Sequence, residues 1–135
     1  MSRQASTRIV AIGVGCRAGV GGEALAALVR RALEEAGAPE GERRMFTLAA
    51  KAAEPGLVEA ARIIGVALMA LPLAALNAQA ERILTPSAPA QTRFGAPNIA
   101  EASALAGAGK GAWLLGPRLA ADGATCAVAL SPERP

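Results

Sequence analysis

The sequence predicts a single three-layer α/β domain: a mainly parallel sheet, helices on both faces, and an antiparallel edge at the C-terminal end. Three observations carry this expectation. Short apolar runs alternate with helical patterns along most of the 135 residues, as parallel strands joined by crossover helices require. The first run, "TRIVAIGV" (7–14), is apolar without alternation and rich in β-branched residues, which fits a strand buried on both faces. The last two runs, "GAWLLGP" and "TCAVAL", are joined by "RLAADGA", whose Asp-Gly pair signals a hairpin-like, antiparallel connection.

The elements follow in order. Residues 1–6 form a polar, disordered leader, and residues 7–135 form the domain. After the first strand, "GGEALAALVRRALEEAG" puts Leu25, Leu28, Val29, Ala32 and Leu33 on one stripe. That spacing predicts a helix closed by Gly37 as its C-terminal cap. "APEGERR" reads as a turn-rich connection and "MFTLAA" (45–50) as the second strand. Pro55 suits the first turn of a second helix that ends near Gly65. "VALMALP" (66–72) reads as a buried third strand running into a short helix around 73–80. Residues 81–97, with three prolines, break the pattern for longer than a compact domain usually tolerates without a function. Asn98 with Glu101 three residues on is a capping-box-like pair that opens a further helix. Trp113, inside an apolar strand, reads as core or interface.

Composition removes several kinds of chemistry. The chain has no histidine, so it holds no Ser-His-Asp triad, Cys-His dyad, imidazole shuttle or histidine-ligated zinc. No metal site and no cofactor are expected. A net charge of +3, scattered along the chain, does not fit a nucleic-acid binder. With two phenylalanines, one tryptophan and no tyrosine, the core is aliphatic and aromatic stacking is not a main binding device. The longest apolar stretch, 63–76, is interrupted by Pro72 and is short for a membrane span of about 20 residues. Two widely spaced cysteines and the absence of an export signal predict a reduced, cytoplasmic protein. So apolar a chain can also pair with a copy of itself through one face.

The chemistry concentrates in "GVGCRAGVGG" (13–22), between the first strand and the first helix. Gly13, Gly15 and Ala18 match a G-x-G-x-x-A dinucleotide fingerprint, but the second strand leads to Lys51 and not to an acid for the ribose. A second reading is purely steric: glycines permit a tight turn and close helix packing. A third is an anion site built from loop amides, the Arg17 fork and the Lys51 charge. Cys16, at a helix N-terminus, is either a thiol of lowered pKa or a packing and ligand-contact group. Cys126 reads as core. Because ligands of parallel sheets bind at the carboxyl ends of strands, "GCRAGVGG", Lys51 with Glu54, and "TPS" (85–87) are expected on one rim.

"GVGCRAG", "KAAEPGL" (51–57), "TPS", "GAPNIAEASAL" (95–105) and the closing "TCAVAL" resemble, in that order, the motifs of the CobE and CbiG C-terminal domain family of cobalamin biosynthesis. The resemblance covers residues from about 8 to 130. It implies a role in building the corrin ring, with a precorrin-type tetrapyrrole as partner and a cobalamin-pathway enzyme as a second one. The length fits the free-standing CobE type, for which the resemblance implies no defined reaction. Where family members often carry an Asp before the lysine, this chain has "LAA", which leaves Glu54 as the main acid. The ligand-binding candidates are therefore Gly13, Gly15, Cys16, Arg17, Gly19, Lys51, Glu54, Thr85 and Ser87. Glu54 and Lys51 are also the catalytic candidates if the chain is a precorrin hydrolase or isomerase and not a carrier.

Overall fold

The computed structural model describes residues 8–85 and 98–132. The leader and Ser87 lie outside these residues. Apart from two short 3-10 turns, ten elements follow one another among the described residues: β1 (Ile9–Cys16), α1 (Gly22–Ala36), β2 (Glu42–Leu48), α2 (Pro55–Ile64), β3 (Ala67–Leu71), α3 (Leu73–Asn77), α4 (Ile99–Ala108), β4 (Trp113–Leu114), β5 (Leu119–Ala121) and β6 (Ala124–Leu130). All six strands join one sheet in the order β3-β2-β1-β6-β4, with β5 also on β6. β1, β2 and β3 run parallel, and β6 is antiparallel to β1, β4 and β5. Since β1 pairs with β6 along all of Ala124–Leu130, β4 and β5 share its other edge end to end.

Alternation along β1 creates the layers. Val10, Ile12 and Val14 pack with Leu25, Val29, Leu57 and Ala60 of α1 and α2. On the other face Ala11 packs with Ala100, Ala104 and Leu105 of α4. The two faces differ in kind: branched side chains space the sheet from α1 and α2, whereas alanine and glycine let α4 press onto the backbone. Fully burying a leucine such as Leu25 or Leu57 contributes about 1.5–3 kcal/mol. Gly37 and Gly65 end α1 and α2 in the left-handed region, at φ 61° and 84°, as their positions after the apolar stripes predict. Asp122 and Gly123, both at positive φ, make the tight β5–β6 turn.

Four details differ from expectation. β2 begins at Glu42, inside the supposed connection, because backbone pairing to β1 runs from Ile9↔Glu42 onward whatever the side chains. It also ends at Leu48, and Ala49–Lys51 turns as a short 3-10 helix. β3 is not buried: it is the terminal strand of the sheet, and Met69 is 41% exposed. Trp113 is likewise 41% exposed, with the Arg8 guanidinium 5.8 Å from its ring centre, so it is not core.

Candidate functional site

Beyond Gly13↔Phe46 the β1–β2 ladder stops, and the Thr47 hydroxyl donates to the Val14 carbonyl at 2.7 Å in its place. The strands open there, and the loop 17–21 crosses their carboxyl ends. Gly19, at φ 87° with open space around it, supplies the left-handed turn. Gly56, at the start of α2, lets the loop lie flat, since a Cβ there would overlap the Val20 carbonyl oxygen.

Glu54 organises this end. It is the N-cap residue of α2, yet its side chain makes no capping bond. One carboxylate oxygen accepts the Gly19 N–H at 2.8 Å, and the other lies 3.8 Å from Lys51 Nζ. Both side chains are mostly buried, at 12% exposed for Lys51 and 16% for Glu54. Cys16 sits half-buried within their field: burial raises its thiol above the ordinary range, Lys51 pulls it down and Glu54 pushes it up. Arg17 is exposed, its N–H donating to the Gly123 carbonyl at 2.9 Å and its stem lying over that turn. It makes no ion pair among the described residues.

Cys16, Gly19, Lys51 and Glu54 are thus brought together, while Arg17, on the same loop, lies over the β5–β6 turn. Thr85 lies at the same end of the sheet but against the start of α4, where Ile99 packs on Gly15. Its N–H donates to Glu101 at 2.9 Å and its carbonyl accepts from Asn98 Nδ2. Gly13 and Gly15 turn their bare sides to α4 and β6. Both are buried within β1, and a Cβ at Gly13 would overlap the Ala100 carbonyl oxygen and lie 2.6 Å from Ala104 N. The dinucleotide spacing therefore falls inside a strand, where its glycines admit a helix. The loop amide expected to meet an external anion, that of Gly19, already holds the Glu54 carboxylate.

A raised pKa argues against Cys16 as a nucleophile and has a measurable sign. A group harder to ionise has less thiolate at neutral pH, so Cys16 should react more slowly than a free thiol with a disulfide reagent at pH 7. Its rate should keep rising with pH after a free thiol has levelled off. Lys51→Met should slow it further, and Glu54→Gln should speed it. Cys126, fully buried and pushed up to about 12 by that burial, should stay silent until the fold opens.

The residue missed by sequence reasoning is Glu101. Half of the expected capping box is present, since Asn98 Oδ1 accepts the Glu101 N–H at 2.9 Å. The carboxylate, however, accepts the backbone N–H groups of Leu84, Thr85 and Arg118. The signal was there: "IAEASALAGA" has no polar face, so its one acid had no solvent side to occupy. Apart from this rim, Ala32, Glu35, Leu115, Pro117, Leu119 and Cys126 line a largely apolar cleft of about 240 Å³ between α1 and the β5–β6 hairpin.

The family model described as "Cobalamin synthesis G C-terminus" matches residues 10–129. Protein CobE of Sinorhizobium sp is 35% identical over 119 residues, 87% of this chain and 77% of that protein. Among solved structures, that of CobE, a protein from the cobalamin (vitamin B12) biosynthetic pathway, superposes with a TM-score of 0.86 at 33% identity, covering 98% of this chain and 97% of that one. The cobalamin biosynthesis protein chiG from Agrobacterium tumefaciens gives 0.69 at 32% identity, covering 92% and 99%.

Proposed function

Because the chain belongs to the cobalamin synthesis G C-terminus family and is a protein of cobalamin biosynthesis, we propose that it binds a precorrin-type tetrapyrrole intermediate, as a carrier or accessory factor that hands it to a pathway enzyme. The observation that supports this most is the presence of two cations at one end of the sheet: exposed Arg17 on the loop after β1, and Lys51, held by Glu54, after β2. A corrin precursor is a flat apolar ring edged with acetate and propionate groups. Arg17 offers a two-pronged donor to one such carboxylate, and Lys51 can share its charge between Glu54 and another. Exposed ion pairs contribute at most about 1 kcal/mol each, while micromolar affinity needs about 8 kcal/mol. Burial of the ring's apolar face must supply most of the difference, at about 25 cal/mol per Å². Both cysteines are free, in keeping with a cytoplasmic setting.

The carrier reading is better supported than an enzymatic one, since both oxygens of Glu54 are engaged by the protein itself. Anaerobic titration with precorrin intermediates, and with cobyrinic acid as a stable corrin bearing free carboxylates, tests it through the visible spectrum and analysis of the recovered pigment. Saturable micromolar binding of unchanged pigment is expected, weakened about fivefold by Arg17→Ala and again by Lys51→Ala, about 1 kcal/mol each. A new product would replace the carrier with an enzyme. Absence of binding would overturn both.

A further inference from the structure

We propose that Glu101 is a positioning residue of the binding site: its carboxylate gathers Leu84–Thr85 and Arg118 over the start of α4, setting Thr85 and a further cation, Arg118, side by side. This rests on the corrinoid-binding reading above.

Glu101 is 0% exposed and forms no ion pair among the described residues. One oxygen accepts Leu84 N–H at 2.7 Å and Thr85 N–H at 2.9 Å, and the other accepts Arg118 N–H at 2.9 Å. A buried carboxylate is costly unless hydrogen-bonded, and these three amides are its compensation. Helix capping does not account for the residue, because Asn98 already accepts the Glu101 N–H while the carboxylate points to chain segments distant in sequence. Neither segment has a ladder of its own, as Leu84, Thr85 and Arg118 lie outside every strand and helix. The carboxylate does for them what a neighbouring strand would do. Spanned by one carboxylate, the Thr85 and Arg118 nitrogens are no more than about 8 Å apart. Asn98, also 0% exposed, ties the same segment down by donating to the Thr85 carbonyl. Arg118 is half-buried and has no carboxylate partner among the described residues, which leaves its charge for a ligand carboxylate.

Glu101→Gln keeps the size but turns an NH₂ toward backbone donors. Amide exchange at Thr85 and Arg118 should accelerate at least tenfold while Ile12 in β1 stays protected, and the Kd for cobyrinic acid should rise about tenfold. Leu84→Pro is the second variant, in case the first does not fold. It deletes one donor at a residue 56% exposed, after Ile83, whose φ −74° and ψ 149° already suit a following proline. It should move the same readouts in the same direction, with about threefold weaker binding. Unchanged exchange at Thr85 and Arg118 would overturn the proposal, as would equal acceleration at Ile12, the mark of a general structural role, or local opening with unaltered affinity. The exchange readout needs no ligand, so a wild-type chain that bound no corrin would sink the proposed function separately and leave exchange to decide the positioning role.

Discussion

Gly13→Ala should cost about 3 kcal/mol, at the upper end of what overpacking a core usually costs, and lower the melting temperature by on the order of 10 °C in a domain of this size. Gly13 is paired on both sides, with Phe46 of β2 and Ala127 of β6, so the strand cannot shift in the plane of the sheet. The added methyl would overlap the Ala100 carbonyl oxygen and crowd Ala104 N. Both are backbone atoms, so no rotamer change relieves the clash; α4 must lift as a body from Ala11, Ala127 and Ala129. Thermal unfolding followed by circular dichroism measures the loss. Gly19→Ala is the control: that residue has open space but φ 87°, so only backbone strain of about 1–2 kcal/mol applies. Equal losses in the two variants would mean that close helix packing is not what Gly13 provides.

Gly56→Ala should cost less, about 2 kcal/mol, and strike the site directly. Its methyl would overlap the Val20 carbonyl oxygen and sit 3.2 Å from Leu25 Cδ1. Val20 belongs to the loop between β1 and α1, which has fewer restraints than the sheet, so the loop yields first. The Gly19 N–H then leaves the Glu54 carboxylate, now 2.8 Å away, and its exchange should quicken at least tenfold while β1 and β6 amides keep their protection. Under the proposed function, corrin affinity should fall with it. Protection of the Gly19 amide unchanged in this variant would show that Gly56 does not set the loop's position.

Much of the arrangement of the candidate site is legible in the sequence, and the exceptions have physical causes. Lys51, Glu54, Cys16 and Arg17 each end or follow a strand, at the carboxyl ends of a parallel sheet. The structure brings Cys16, Lys51 and Glu54 together there, with Arg17 on the same loop. Gly13 and Gly15 share the loop's composition, yet they belong to the strand. A glycine's spacing does not tell whether its bare side meets a ligand or a helix. In the sequence Glu101 has the spacing of a local cap, because the three amides it serves come from segments 16 and 17 residues away.

The fold class, the order of its elements, the caps at Gly37 and Gly65, the aliphatic core and the absence of histidine chemistry are all readable from the amino-acid order. Each of these is written in periodicity or composition within one turn or one strand, where a residue's neighbours in space are its neighbours in sequence. That β3 is an exposed edge, that the Gly19 amide is taken by Glu54 and that Glu101 is buried against two loops emerge only from the folded chain. Those outcomes depend on which distant segments share a face, which is set by the packing of whole layers and by the need of each buried polar group for a partner.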